Sequence, residues 1–146
     1  MTEEALTDPR SARTILAGAL SVALSLLVLD LIFLGVLAKP FFDEALGPLR
    51  RTPVFWPAAL LFYAMYVGVV TTYAVLPARS IREALRRGAS LGFVAYATYE
   101  LTNWAVLANW PARLVPVDIL WGVVLTSLVA VFGYAMVTRL RRRGER

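Results

Sequence analysis

Four long apolar runs, Thr14 to Ala38, Val54 to Ala78, Ala89 to Asn109 and Leu114 to Val137, constrain this chain more than any other feature. Each is near the roughly 20 residues that a helix needs to cross about 30 Å of hydrocarbon. A small soluble domain could not cover them, because 59% of the residues are hydrophobic and only 17% charged. The expected fold class is all-α: an integral membrane four-helix bundle forming one domain over residues 1–146, with tails 1–13 and 138–146. The first run is longer than the apolar segment of a cleaved signal peptide, and its leader holds Glu3, Glu4 and Asp8, so it is read as a span.

Basic residues set the expected orientation. Arg10 and Arg13 precede the first run, Arg79, Arg82, Arg86 and Arg87 join the second to the third, and Arg139, Arg141, Arg142, Arg143 and Arg146 follow the fourth. The other two connections hold only Lys39, Arg50, Arg51 and Arg113. The positive-inside rule then places both termini and the middle connection in the cytoplasm. The net charge of +5 is explained by this pattern, so no nucleic-acid partner is expected; the basic tail is expected at anionic lipid headgroups.

Two connections carry local signals. Phe41, Phe42, Ala45, Leu46 and Leu49 recur at helical spacing, which predicts a short interfacial helix between the first two spans, placed to act as a lid. Ser80 followed by Glu83 reads as a capping box, so the third helix is expected to start there and enter the membrane through Arg87. On the fourth run, Gly122, Thr126, Ala130 and Gly133 share one arc, which lets another helix approach closely.

The residue inventory narrows the chemistry. The chain has no Cys and no His, which removes thiolate nucleophiles, zinc and haem ligation and His-based triads. Its one lysine, Lys39, stands at a helix end, so a buried Schiff base has no anchor. No cofactor and no metal are expected, and any chemistry must use carboxylates, hydroxyls, amides, arginines and aromatic rings.

Candidate site residues are the polar groups that hydrocarbon should exclude. Asp30, Glu100 and Asp118 lie on three different spans, all roughly 5 to 10 residues, or about 8 to 15 Å, from the same end. A carboxylate at that depth costs about 2.5 to 3.5 kcal/mol on insertion scales and should face the bundle interior. Tyr96 and Asn103 flank Glu100 on one helix face, whereas Thr98 and Thr102 point away. On the second span, Tyr63, Tyr66 and Tyr73 share an arc, the first two at the depth of the acids, and Trp121 is one turn beyond Asp118. Aromatic walls with a few convergent polar groups are the usual composition of a small-molecule site. Each element also has a plainer reading. Trp56, Trp104 and Trp110 fit an interfacial aromatic belt, the tyrosines fit core packing, and Asp118 fits a helix-start residue stabilised by the dipole. Asp30 and Glu100 have as their plain alternative a structural polar knot between helices.

Leu29-Asp30-Leu31-Ile32-Phe33-Leu34-Gly35 with Phe41-Phe42 and Leu46-Gly47, Ala95 to Asn103 with Trp110-Pro111, and Asp118-Ile119-Leu120-Trp121-Gly122 resemble the bacterial four-span membrane proteins grouped as the domain-of-unknown-function 2177 family. The resemblance runs from the first span to the fourth. It is most specific in the third, where Thr-Tyr-Asp-Leu-Thr-Asn is expected. Here Glu100 stands for that Asp and Ala97 for a usual Gly. The longer acid keeps the charge and moves it about 1 Å further from the helix. The resemblance implies a four-span fold in a bacterial inner membrane and adds Tyr99 to the candidate set, without implying an activity.

Three function classes follow. The first is a binding or transfer protein whose outer-leaflet pocket holds a small lipid-like or amphipathic molecule, with membrane lipids as its surroundings. The second is a membrane enzyme that works on a lipid by carboxylate acid/base chemistry; it lacks a nucleophile or metal motif. The third is a proton-coupled carrier, which at this size needs a homodimer and lacks a mid-membrane proline break. A structural subunit of another membrane protein is the remaining reading. The first is preferred.

Overall fold

The computed structural model describes residues 9–144; the rest of the two expected tails lies outside the described residues. Five helices carry the fold, which we number α1 Pro9–Ile32, α2 Lys39–Leu46, α3 Trp56–Val69, α4 Ile81–Val106 and α5 Leu114–Gly144. No strand occurs among the described residues. The protein is an all-α membrane bundle of four long helices with α2 as the short helix between the first two. The chain runs up, down, up and down, so one end carries the connections around α2 and after α4, and the other carries Pro9, Gly144 and the 76–80 turn. These are called the connector end and the terminal end below.

Local chemistry sets the helix boundaries. Pro40 and Pro57 fall in the first turns of α2 and α3, where a missing N–H costs nothing. α4 starts at Ile81, as its capping signal predicts: the Ser80 hydroxyl accepts from the Glu83 N–H at 3.1 Å. The Glu83 carboxylate accepts from the Arg79 N–H at 2.9 Å and from Arg87 Nε at 3.0 Å. Those bonds, the Arg79 N–H foremost, hold its carboxyl below the usual carboxylate range. Two helices widen where they end. α1 passes into a π-helical turn, Phe33–Leu37, closed by Ala38 N–H donating to the Phe33 carbonyl at 2.7 Å. α3 does the same over Val70–Val75, closed by Leu76 N–H on the Thr71 carbonyl at 2.9 Å.

Three stretches, Ala12–Leu37, Trp56–Val75 and Leu114–Arg143, are long and apolar enough to cross a membrane by themselves. α4 is not among them, because Arg82, Glu83, Arg86 and Arg87 occupy its first turns and Glu100 and Asn103 its last. It completes the bundle by packing antiparallel along α5, the most extensive helix pair in the molecule.

That packing depends on small side chains. A Cβ on Gly92 would stand 2.2 Å from the Gly122 carbonyl oxygen, and one on Gly88 2.6 Å from that of Thr126, so the two backbones touch. The arc anticipated on α5 serves two partners: Gly122, Thr126 and Ala130 meet α4, whereas Gly133 meets Val22 of α1 and Val75 beyond α3. α1 shows its stripes plainly. Gly18, Val22, Leu26 and Asp30 are buried, while Leu16, Leu20, Leu24, Leu27 and Leu31 are exposed, as a lipid-facing side requires.

Candidate functional site

The buried stripes lead to the site. On α1 the sequence of buried positions is Gly18, Val22, Leu26, Asp30; on α4 it is Ala84, Gly88, Gly92, Ala97, Glu100. Along α5, read from the other direction, Val137, Gly133, Ala130, Thr126 and Gly122 lead to Asp118. Each helix thus presents small or apolar groups inward over most of its length and ends at an acid near the connector end. Asp30, Glu100 and Asp118 are 7%, 0% and 8% exposed, and all three line one cavity of about 470 Å³. The convergence expected from residue counting is therefore present in the fold.

The three acids are held differently. Asp30 is satisfied on both oxygens: the Tyr63 hydroxyl donates to Oδ2 at 3.2 Å and the Trp121 indole N–H to Oδ1 at 3.1 Å. Trp121 is in turn fixed by face-to-face stacking on Phe33, with ring centroids 3.8 Å apart and planes 9° from parallel. Phe33 opens the π-helical turn of α1, so the widened backbone lies directly behind the Asp30 contact. Glu100 receives the Trp110 indole N–H on Oε2 at 2.9 Å, but its Oε1 is buried with no hydrogen-bond partner. The Asp118 carboxyl is at hydrogen-bonding distance from that of Glu100, the two acids facing each other, and lies within electrostatic reach of Asp30. A buried carboxylate oxygen left unsatisfied is costly, and native structures tolerate few of them.

Aromatic side chains make the walls. Tyr63, Tyr66, Tyr96, Tyr99 and Trp121 all line the cavity, as anticipated, together with Phe42, Phe62 and Trp110. Tyr66 is buried and exchanges a 2.7 Å hydrogen bond with Thr126. The Tyr96 hydroxyl sits in the field of Asp30 and Asp118, and its ring rests against Gly122, where any side chain would strike it at 2.1 Å. Tyr99 meets Trp110 edge-on at 5.7 Å. Asn103 differs from expectation. It pairs with Tyr99 close to the end of α4 and is not among the cavity-lining residues. Thr98, Thr102 and Trp104 are exposed.

Several lining residues carry no clear sequence signal. Trp110, which fits a belt aromatic by position, reaches back from the α4–α5 connection to cap Glu100. Arg50 lines the rim, its guanidinium paired with Asp43, which also pairs with Lys39. From α2, Phe42 and Leu46 line the same cavity. On the second connection Arg113 bonds Glu44 at 2.8 Å and covers the Phe41 ring, tying the connector-end segments together.

The cavity has a side as well as a top. The backbone of Trp56–Val69 lies close to α1, with Tyr66 reaching Thr126 of α5, and it is the following turn, Val70–Val75, whose backbone comes close to α4 and α5 as well. α3 and α4 therefore part toward the connector end. Phe62 on α3 and Tyr99 on α4, both cavity-lining, stand 40% and 55% exposed there.

Comparison with known families matches residues 15–135 to the family described as "Predicted membrane protein (DUF2177)". The match spans most of the chain, and the protein belongs to that family. Comparison with curated proteins and with solved structures found no match.

Proposed function

We propose that this DUF2177 membrane protein is a binding protein that holds a small lipid-like or amphipathic molecule in the connector-end cavity, its polar end on the carboxyls of Glu100, Asp118 and Asp30. The observation that carries this reading is Glu100: fully buried, in a cavity of about 470 Å³, with no N–H donor on Oε1 and another acid, Asp118, against its carboxyl. A structural knot would pair its acids with neutral donors, as Asp30 is paired with Tyr63 and Trp121. The volume lies in the range of small-molecule sites, and aromatic walls with a few polar groups match their composition. The gap between α3 and α4 gives an apolar tail a route to the surrounding hydrocarbon.

In this reading both termini are cytoplasmic and the cavity lies in the outer leaflet of a bacterial inner membrane, on the support of the arginine distribution. A reporter after Arg146 then reads cytoplasmic and one inserted at Gly47 reads outside; the reverse result inverts the assignment. Ligand occupancy is tested by mass spectrometry of the protein extracted in mild detergent. A retained molecule that is lost from Glu100→Leu while the fold persists supports binding. Identical small-molecule content in both, or none in either, removes it.

One observation favours a second reading. Glu100 and Asp118 face each other in a site largely shielded from water, an arrangement that suits a general acid and base acting on a lipid. Incubation of the protein with a lipid extract separates the two: a binding protein returns its ligand unchanged, an enzyme does not.

A further inference from the structure

Resting on that binding reading, we infer that the ligand's polar end is a protonated primary or secondary amine, so the protein selects amine-headed amphiphiles over neutral and anionic ones. The charge balance of the cavity is the first reason. Three acids line it from three helices, and the one basic group among the lining residues, Arg50, is paired with Asp43 at the rim instead of with any of them. An anionic head gains nothing from the three acids and is repelled by any that is ionised. With a neutral head the facing Glu100 and Asp118 carboxyls can only share a proton, whereas a cation compensates their charge and lets them ionise.

The aromatic walls supply the second reason. Tyr63, Tyr66, Tyr96 and Trp121 surround the acids, and the faces of such rings attract a cation within about 6 Å. A metal ion fits less well, because no three acidic side chains among the described residues gather closely enough to hold one.

The third reason separates amines from quaternary ammonium groups. Glu100 Oε1 is buried and has no donor, whereas Oε2 already receives Trp110. A quaternary head offers charge but no N–H and leaves Oε1 unsatisfied. An amine head offers both, so it gives Oε1 the N–H donor that the protein itself does not. Its chain then follows Phe62 and Tyr99 into the gap between α3 and α4, where hydrocarbon is the solvent. An ethanolamine-headed lipid of the bilayer and a free long-chain amine share this chemistry.

The test uses the full chain in a neutral maltoside detergent and follows tryptophan emission, since Trp110 and Trp121 line the cavity. The probes are dodecylamine, dodecyltrimethylammonium, dodecanol, dodecyl sulfate, lysophosphatidylethanolamine and lysophosphatidylglycerol, each below its micellar concentration. Saturable binding of dodecylamine at least about tenfold tighter than dodecanol, with the trimethylammonium probe between them, supports the inference. Lysophosphatidylethanolamine binding as tightly as dodecylamine identifies a bilayer lipid as the source; dodecylamine binding alone identifies a free amine. Glu100→Gln should weaken dodecylamine about tenfold and leave dodecanol unchanged, and Asp118→Asn is measured in the same way should the first variant not fold. Equal, saturable binding of dodecanol and dodecylamine overturns the amine assignment and leaves the binding reading intact. The absence of saturable binding by every probe overturns both.

Discussion

The two ends of this bundle are built on the same inward stripes and solve opposite problems. At the terminal end, glycines, alanines and valines bring backbones into contact: Gly88 and Gly92 touch the α5 main chain, and Gly133 leaves room only for Val22 and Val75. At the connector end the same stripes carry Asp30, Glu100 and Asp118, and the helices stand apart around a cavity walled by rings. Lipid gives no hydrophobic drive for helix association, so close van der Waals packing must hold the bundle. Concentrating it at one end leaves the other free to keep polar groups and empty volume.

The largest effect expected from this contrast is at the terminal end. Gly92→Leu places side-chain atoms into the Gly122 backbone and should remove about 4 kcal/mol or more, read as loss of a monodisperse peak and of a cooperative thermal transition. Gly68→Ala, with no atom within 4 Å of its added Cβ, should be neutral or stabilising by about 0.5 kcal/mol. Similar behaviour of the two variants would break the comparison. A smaller loss of about 2 kcal/mol is expected for Gly133→Leu, whose neighbours are movable valine methyls, and almost none for Leu128→Ile on the exposed side.

Connector-end changes should divide by how each acid is held. Trp121→Phe keeps the stack on Phe33 and deletes the N–H that Asp30 accepts, for a loss of about 1 to 2 kcal/mol in thermal unfolding. Glu100→Leu should instead raise stability by about 1 kcal/mol while emptying the cavity of ligand, because it deletes an acid that the fold satisfies on one oxygen only. Destabilisation by Glu100→Leu comparable to that of Trp121→Phe would mean the acid is a structural tie. The smallest effect is at Glu83, outside the membrane-spanning part. Its folded carboxyl titrates below its ordinary value, so its contribution is present above that value and fades as pH falls through the depressed one. Glu83→Gln should flatten the acid side of a stability profile slightly and leave neutral pH nearly unchanged.

Much of this was readable from residues alone, for identifiable reasons. Apolar length gave the helices, Ser80 and Glu83 gave the start of α4, and depth counting brought three acids to one level, because each rests on a local regularity. What stayed hidden depends on chain path. Trp110 occupies a span end like any belt aromatic, and only the fold of the α4–α5 connection turns its N–H onto Glu100. Arg50 and Phe42 reach the cavity through the path of the connection between α1 and α3, and the π-helical turns at Phe33–Leu37 and Val70–Val75 follow no periodicity. Asn103 shares the face of Glu100 but pairs with Tyr99 and does not line the cavity.

The glycine ladder between α4 and α5 has one further consequence. Its rungs, Gly88 and Gly92 against Gly122, Thr126 and Ala130, repeat every four residues. Sliding α4 along α5 by a turn, about 5 to 6 Å, would set Gly92 against Ala130 but push the Tyr96 ring from Gly122 onto Thr126. The glycine rungs therefore fix how closely the helices approach, and the residues beyond them fix the register. The same slide would carry Glu100 from Asp118 toward Gly122 and pull it from the Trp110 N–H. The polar groups at the far end act as an index pin: they contribute little to how tightly the helices grip, and with Tyr96 they hold α4 in the one setting where Glu100 meets both Asp118 and Trp110.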